Sequence, residues 1–465
     1  MTTSLIIGSA TLVLCSAAAA ADKIPEYRSP IRFMPAERAV GDVMPFYWKG
    51  EYHVFYLTNP TGNNDVNWEH TVSGDLVTWK ELPPALTPDK SDPTGPEGRC
   101  MFTGCVVEKD GVFHAWYTSW NPNNPAGREF ISHATSKDLI KWTKHPEHMI
   151  APDGIHYANH HDRDFRDPQI FWNAKAKEYW MLINGNVPGK DGFRFGLLTS
   201  KDLVHWQQQN PIEGVPGDEC PDYFRIGDTH YIHSCQSLYC YSDKAEGPYK
   251  YPELTRELDA PFMHAGKLVW DGKRHILFAG WVGGPMPSPR EVYGGPNGLL
   301  YIKPVLEILN LFKHTALDLA DKPEFTQSGA QWRYDGPVLR CSAGQEQVKA
   351  VFRVPEHYML DCLVTMTPKS RLTLTIGGHY HLCLTPETAQ LSLTGPNFNR
   401  TRPCPVDTSK PTKIQVFAEG KLIECFVNDQ FAQTCTVGTA KEKQLEIGAE
   451  GGSVGILKLL VKTCQ

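Results

Sequence analysis

Hydrophobic positions along this chain come in short bursts. Segments rich in Val, Ile, Tyr, Phe and Trp, such as YHVFYL at 52–57, GVFHAWYTS at 111–119 and EYWMLING at 178–185, are separated by glycines and prolines. Bursts of that length and composition, closed off by turn residues, predict strands rather than helices. One stretch reads differently. VLEILNLFKHTALDL, at 305–319, spaces its leucines as an amphipathic helix would, and predicts a single connecting helix.

Aligning the bursts exposes a repeat. SGDLVTW at 73–79, SKDLIKW at 136–142 and SKDLVHW at 200–206 recur at intervals of 63 and 64 residues, each after strand-like sequence. Ser-x-Asp-Leu makes a favourable turn by itself, and the Trp fills a core slot, so the local meaning is modest. The interval carries more: a four-strand unit of that length is too small to bury both its faces alone, which predicts β-propeller blades packed about an axis. YSDKAEGPY at 241–249 reads as a degenerate fourth copy, and 255–300 leaves room for a fifth blade. From 337 to 465 strands such as RLTLTIGG and KLIECFVND alternate with turns, as in a β-sandwich. The expected organisation is all-β: a five-bladed β-propeller over 24–312, a linker over 313–336 and a β-sandwich over 337–465.

Composition narrows the partners. The 465 residues are 41% hydrophobic, enough for full cores, and a formal charge of −6 provides no basic field for nucleic acid or an anionic membrane surface. The first 21 residues, MTTSLIIGSATLVLCSAAAAA, pair an apolar stretch with small residues and read as a secretory signal peptide, although the usual positive start is missing. Leu14 argues against a lipoprotein signal at Cys15, and the stretch is short for spanning a bilayer. The protein is therefore expected to be secreted or periplasmic, with no membrane-spanning segment. Removing that leader leaves 12 of 13 cysteines, an even number compatible with disulfides, although buried thiols would look the same. Five of them, Cys341, Cys362, Cys383, Cys404 and Cys425, fall 21 residues apart in unlike surroundings, which reads as strand spacing. No CxxC pair and no His/Asp cluster shows metal-ligand spacing, so neither metal nor cofactor is expected.

Charge is crowded where a propeller would place its channel mouth. HHDRDFRDPQIFW at 160–172 sets three aspartates and two arginines against an apolar strand. The first three blades are expected to offer one candidate carboxylate each: Asp42 in VGDVMPFYW, Asp167 in FRDPQIFW and Glu219 in GDECPDYF. An isolated loop aspartate is usually a turn residue or half of a surface ion pair. Here the surrounding segments, in order, resemble glycoside hydrolase family 32, the invertase, inulinase and levanase family, and more distantly families 43 and 68. GDVMPFYWKGEYHVFYL is similar to that family's first-blade motif, FRDPQIFW has its Arg-Asp-Pro, DECPDYF its Glu-Cys-Pro-Asp, and PSPREVY with GLLYIKPVLEI resembles the close of its last blade.

The resemblance implies a retaining hydrolase of furanosides, most simply β-fructofuranosides, with Asp42 as nucleophile, Glu219 as acid/base and Asp167 stabilising the transition state. The chemistry asks for these types: an ionised carboxylate attacks while a protonated carboxyl serves the leaving oxygen, about 5–5.5 Å away in retaining enzymes. Glu219 is the expected proton carrier. Arg166 is expected to hold its neighbours ionised and aimed. Trp68 and Phe102 are expected to line the sugar pocket, with core packing an alternative for Trp68. His160 and His161 read as surface loop, and Arg290 and Glu291 as a lock on the last blade. The expected partner is an oligo- or polysaccharide, and nothing in the sequence assigns an oligomeric state. Two departures bear on specificity: Gly41 stands where the family has an Asn, and Leu57 where it has a Gln. Losing hydrogen bonds to a sugar changes discrimination strongly, which keeps another furanoside in view. An inverting arabinofuranosidase or xylosidase of the family 43 kind, with acids 6.5–9.5 Å apart, is an alternative, as is a catalytically silent carbohydrate-binding propeller.

Overall fold

A computed structural model of the chain describes residues 27–36, 39–58, 65–259, 263–282, 284–329, 331–438 and 442–464. The signal-peptide segment, 1–21, lies outside them. The first five sheets are successive antiparallel meanders: Val40–Leu86, Cys100–Lys144, Phe165–Gln209, the three-stranded Asp222–Ser242, and His264–Pro304. Their innermost strands touch in a ring, each against the next and the fifth against the first, so this is the expected five-bladed propeller. Closure uses backbone: the Val40 N–H donates to the Gly284 carbonyl at 2.9 Å, and the Trp281 N–H to the Val40 carbonyl at 3.0 Å.

The Ser-x-Asp-Leu repeats end the third strand of blades 1, 2 and 3. In each, the aspartate side chain gathers the N–H groups two and three residues on (Asp75 with Val77 and Thr78, Asp138 with Ile140 and Lys141, Asp202 with Val204 and His205) at 2.6–2.9 Å. The leucine between is forced to φ of +63 to +69° and is buried. Three carboxylate-capped turns thus tolerate a conformation that leucine rarely adopts, because the hydrogen bonds and the buried side chain both favour it. Blade 4 keeps only the serine of this device, Ser242, which accepts from the Lys244 N–H.

Beyond the propeller, an eight-stranded and a seven-stranded sheet face each other as a sandwich, closed over a core that includes Leu360, Leu374, Leu391, Val416, Ile447 and Leu459. Residues 313–336, expected as a linker, carry three short strands that join these sheets: Thr326–Ser328 and Arg333–Asp335 at an edge of each, and His314–Asp318 beside Ser453–Thr463. The helix expected over 305–319 is a correction: only Leu306–Leu309 is helical, and His314–Asp318 pairs with Ser453–Thr463. Leu306 is exposed while Ile308, Phe312, Leu317 and Leu319 are buried against two different neighbours, so tertiary pairing overrode the periodicity. The disulfide expectation is also corrected. All twelve described cysteines are free thiols, ten of them buried, including the five at 21-residue spacing.

An ionic cluster joins sandwich to propeller. Arg290 of the last blade, fully buried, pairs with Asp259 and with Glu424 of the sandwich at 2.8 Å, and Glu424 also takes Arg32 at 2.5 Å. Glu291 beside it makes a more exposed pair with Lys303.

Candidate active site

Each blade's innermost strand carries a bulge near its start, with two residues opposing one. The pairs are Gly41–Asp42 opposite Leu57, Phe102–Thr103 opposite Thr118, Asp167–Pro168 opposite Ile183 and Ala265–Gly266 opposite Ala279. In blade 4 the Cys235 N–H bonds the Glu219 carbonyl, leaving Cys220 and Pro221 opposite Ser234. Bulges re-aim side chains and interrupt pairing, and five of them around one ring point their residues at a common mouth. Asp167, Cys220 and Ala265 sit at φ of 61°, 51° and 48°, a region costly for residues with a Cβ and held here by the surrounding hydrogen bonds.

The sequence candidates meet at that mouth, but not one from each of the first three blades as expected: Asp42 comes from blade 1, Asp167 from blade 3 and Glu219 from the entry to blade 4, because a full blade lies between the segments of Asp42 and Asp167. Arg166, buried, reaches four carboxylates: Nη2 donates to Glu219 Oε1 at 2.5 Å, Nη1 to Glu129 at 3.1 Å and to Asp164, and Nε lies 3.8 Å from Asp167 Oδ2. Asp167 Oδ2 accepts the Cys220 N–H at 2.9 Å, and the Asp167 N–H donates to Thr118 Oγ1 at 2.7 Å. Asp42 Oδ2 accepts from the Thr103 hydroxyl and lies 3.5 Å from Cys220 Sγ. Cys220 therefore touches both aspartates while its neighbour Glu219 carries the third acid. Glu219 is open to solvent, its side chain 39% exposed, whereas Asp167 is buried.

Burial dominates the titration of Asp167 and pushes it from the ordinary aspartate range up to about 7; the Arg166 charge opposes this, and Glu219 and Asp42 add to it. Arg166 is raised further above its usual range by its acidic partners, although burial works against it. Deeper in the channel, burial likewise lifts Asp222 to about 7 against the charge of Lys267, whose ammonium donates to the Gly104 carbonyl at 3.0 Å. That pair ties blades 2, 4 and 5 together beneath the mouth.

Other expected residues divide. Phe102 is partly exposed at the blade 2 bulge, stacked on Trp120 at 5.4 Å and adjacent to Thr103, in position to wall the site. Trp68 is fully buried; its indole N–H donates to the Phe102 carbonyl at 2.8 Å and its ring packs on Tyr117 and Phe55, so packing is its observed role. His160 and His161 are exposed loop residues. Sequence reasoning missed Glu129, Thr103, Thr118 and Trp281. The Trp281 indole N–H donates to Asp42 Oδ1 at 2.5 Å, and its ring closes over Gly41: a Cβ there would stand 3.3 Å from Trp281 Cζ2 and 2.8 Å from the Leu57 carbonyl. No motif marks these four. Their contribution arises from the neighbouring blade, which sequence order does not display.

Comparison with known proteins identifies the family and supports the fold. The glycosyl hydrolases family 32 N-terminal domain matches residues 33–293. A sucrose-6-phosphate hydrolase of Escherichia coli is 28% identical over 313 residues, covering 57% of this chain and 61% of that protein. A levanase of Bacillus subtilis is 31% identical over 242 residues, or 48% of this chain and 33% of the levanase. Two solved structures share the fold across the whole molecule. They are sucrose-6-phosphate hydrolase from Lactobacillus gasseri (TM-score 0.71, 18% identity, 94% of this chain and 93% of that one) and fructan 1-exohydrolase IIa from Cichorium intybus (TM-score 0.70, 17% identity, 95% and 98%).

Proposed function

Since this chain belongs to glycosyl hydrolase family 32, we propose that it hydrolyses β-fructofuranosides of the sucrose or fructan kind with retention of configuration. The observation that carries the proposal is the wiring of three acids from three blades, Asp42, Asp167 and Glu219, through Arg166 and Cys220. An acetal carbon becomes oxocarbenium-like as its bond breaks, so one face needs an ionised nucleophile and the other a proton for the leaving oxygen.

Asp42 is the nucleophile: Trp281 and Thr103 donate to its two oxygens and fix its aim. Glu219, open to the mouth, delivers the proton and afterwards activates water. Asp167, held by the Cys220 N–H, accepts hydrogen bonds from sugar hydroxyls that strengthen as charge develops on the ring. Arg166 positions Glu219 and Asp167 with respect to one another, and Phe102 forms part of the wall. Trp68 contributes by fixing the Phe102 backbone. The amino-terminal segment is an export signal, which sequencing the amino terminus of the mature protein from culture fluid or periplasm tests.

One observation favours a different furanoside. The family's Asn at position 41 and Gln at position 57 are absent, and Trp281 fills the space over Gly41, so a polar part of the sugar shell is replaced by an aromatic surface. One assay decides between the readings. The protein is incubated with sucrose, inulin, levan and a panel of aryl furanosides, and the first-released anomer is followed by NMR. Prompt release of fructose with retained configuration is expected. Release of the opposite anomer indicates the inverting mechanism, activity confined to another aryl furanoside reassigns the sugar, and sugar binding unaccompanied by turnover indicates a binding module.

A further inference from the structure

On the outer edge of blade 2, four histidines are linked ring to ring. His114 and His133 come from the adjacent strands Val112–Trp120 and Glu129–Ser136, while His145 and His148 flank Glu147 on the turn Pro146–His148 that follows the outermost strand. Pro146 fixes the start of that turn, and the backbone N–H of His145 bonds the His133 carbonyl at 2.9 Å, which seats the turn on the blade. Glu147 Oε1 lies 3.1 Å from His145 Nδ1 and 3.8 Å from His148 Nε2, and one ligating atom from each of the three residues falls within 4.8 Å of the others. Among the described residues this is the one such group of His, Cys, Asp or Glu.

The second ring nitrogens of His145 and His148 are both engaged, and the contacts continue through His133 to His114. His145 Nε2 is 2.8 Å from Thr135 Oγ1, His148 Nδ1 is 2.9 Å from His133 Nδ1, and His133 Nε2 is 3.0 Å from His114 Nδ1. In one tautomer state His145 donates from Nε2 to Thr135, His148 from Nδ1 to His133, and His133, buried, from Nε2 to His114, which leaves the lone pairs of His145 Nδ1 and His148 Nε2 beside the Glu147 carboxylate for a cation. Without an ion the same atoms are satisfied when the Thr135 hydroxyl donates to His145 Nε2 and His145 Nδ1–H donates to Glu147 Oε1, so metal binding exchanges that proton for the ion. Outer hydrogen bonds that fix ring tautomer and orientation are the usual support of metal-bound imidazoles.

We propose that His145, Glu147 and His148 bind a divalent transition-metal ion of the zinc class. Two imidazoles and one carboxylate suit a borderline cation over a hard one such as calcium or magnesium, and water completes the coordination on the solvent side, where Glu147 is 61% exposed. The ion fastens the 145–150 turn to the blade, continuing the pairing of Ile150 with Ile131. It takes no part at the mouth, since Thr103 belongs to the innermost strand of this blade and the metal trio follows the outermost. The sequence reading expected no metal because the support, Thr135, His133 and His114, comes from neighbouring strands, and His-Pro-Glu-His alone is unremarkable.

The test uses the full chain, stripped with a chelator and titrated with zinc chloride alone by calorimetry. One saturable equivalent and a raised thermal midpoint are expected. His145→Asn combined with His148→Asn abolishes both, with turnover of the sugar substrate unchanged as a check of folding. Thr135→Val, which removes only the partner of His145, weakens binding about tenfold. Cobalt substituted for zinc shows ligand-field bands without thiolate charge transfer. No saturable binding by the parent chain, equal binding by the double variant, or a thiolate signature that places the metal on cysteine would each overturn the proposal.

Discussion

The indole N–H of Trp281 donates to Oδ1 of Asp42 at 2.5 Å, joining the last blade to the first at the point where the ring closes. The same ring lies over Gly41, so the hydrogen bond and the missing side chain are two halves of one substitution. Trp281→Phe keeps the cover and removes the donor. A hydrogen bond to a charged group contributes about 1.5–3 kcal/mol. Trp281 is 44% exposed, which favours the lower end, or roughly a tenfold loss of kcat/KM with little change in thermal midpoint. Gly41→Asn alone is expected to lower activity further, because its Cβ meets the Leu57 carbonyl at 2.8 Å; coupling with Trp281→Ala, measured as a double-mutant cycle, reports whether the two positions share one space.

Asp167 gives the fold a pH dependence of known sign. Its pKa is raised on folding from an ordinary 3.8 to about 7, so the folded state holds the proton more tightly than the unfolded one. Its contribution is greatest below pH 3.8 and is lost as pH climbs to about 7. Asp222 acts in the same direction over the same interval. Asp167→Asn is therefore expected to flatten part of the fall in urea midpoint between pH 4 and 7, and to abolish turnover at every pH. An unchanged slope would remove the buried, proton-holding Asp167 from the account.

Arg290 is expected to matter through stability alone. Replacing it by Met leaves Asp259 and Glu424 facing each other without it in a site closed to water, and removing one member of a buried ionic group costs about 3–5 kcal/mol. Urea denaturation measures the loss. Arg290→Lys, which keeps a charge and loses the fork, should fall between the two.

The thiols provide a direct check on the absence of disulfides. Of the twelve described cysteines only Cys235 and Cys464 are partly exposed, so a thiol reagent should find these two first in the native protein and the other ten on denaturation. The thermal midpoint should be indifferent to reductant. A reductant-dependent midpoint, or ten thiols missing after unfolding, would contradict the free state of the sandwich cysteines.

Much of the architecture was legible because it repeats. The serine, aspartate and leucine of each turn act within four residues of one another, so their spacing in the chain is also their geometry. Asp42, Asp167 and Glu219 were legible for a different reason: each is embedded in a local strand-and-bulge segment with its own pattern. Trp281 was not, since its effect on Asp42 crosses 239 positions of sequence and depends on ring closure. The leucines of 305–319 misled because Leu317 and Leu319 are buried in the sandwich core, on a segment that pairs with the strand starting at Ser453, whereas Ile308 is buried against the propeller. Trp68 misled because its ring faces inward between Phe55 and Tyr117, a choice of side that a two-residue period leaves open.

Gly41 and Gly280 face each other across the junction of first and last blades so closely that a methyl group on Gly280 would overlap the Gly41 carbonyl. The chain's two distant ends of the propeller are thus zipped together beside Asp42, the proposed nucleophile. Fraying at this seam would silence catalysis while the remaining sheets stayed intact, making enzymatic rate a more sensitive gauge of a sealed ring than any bulk measure of unfolding.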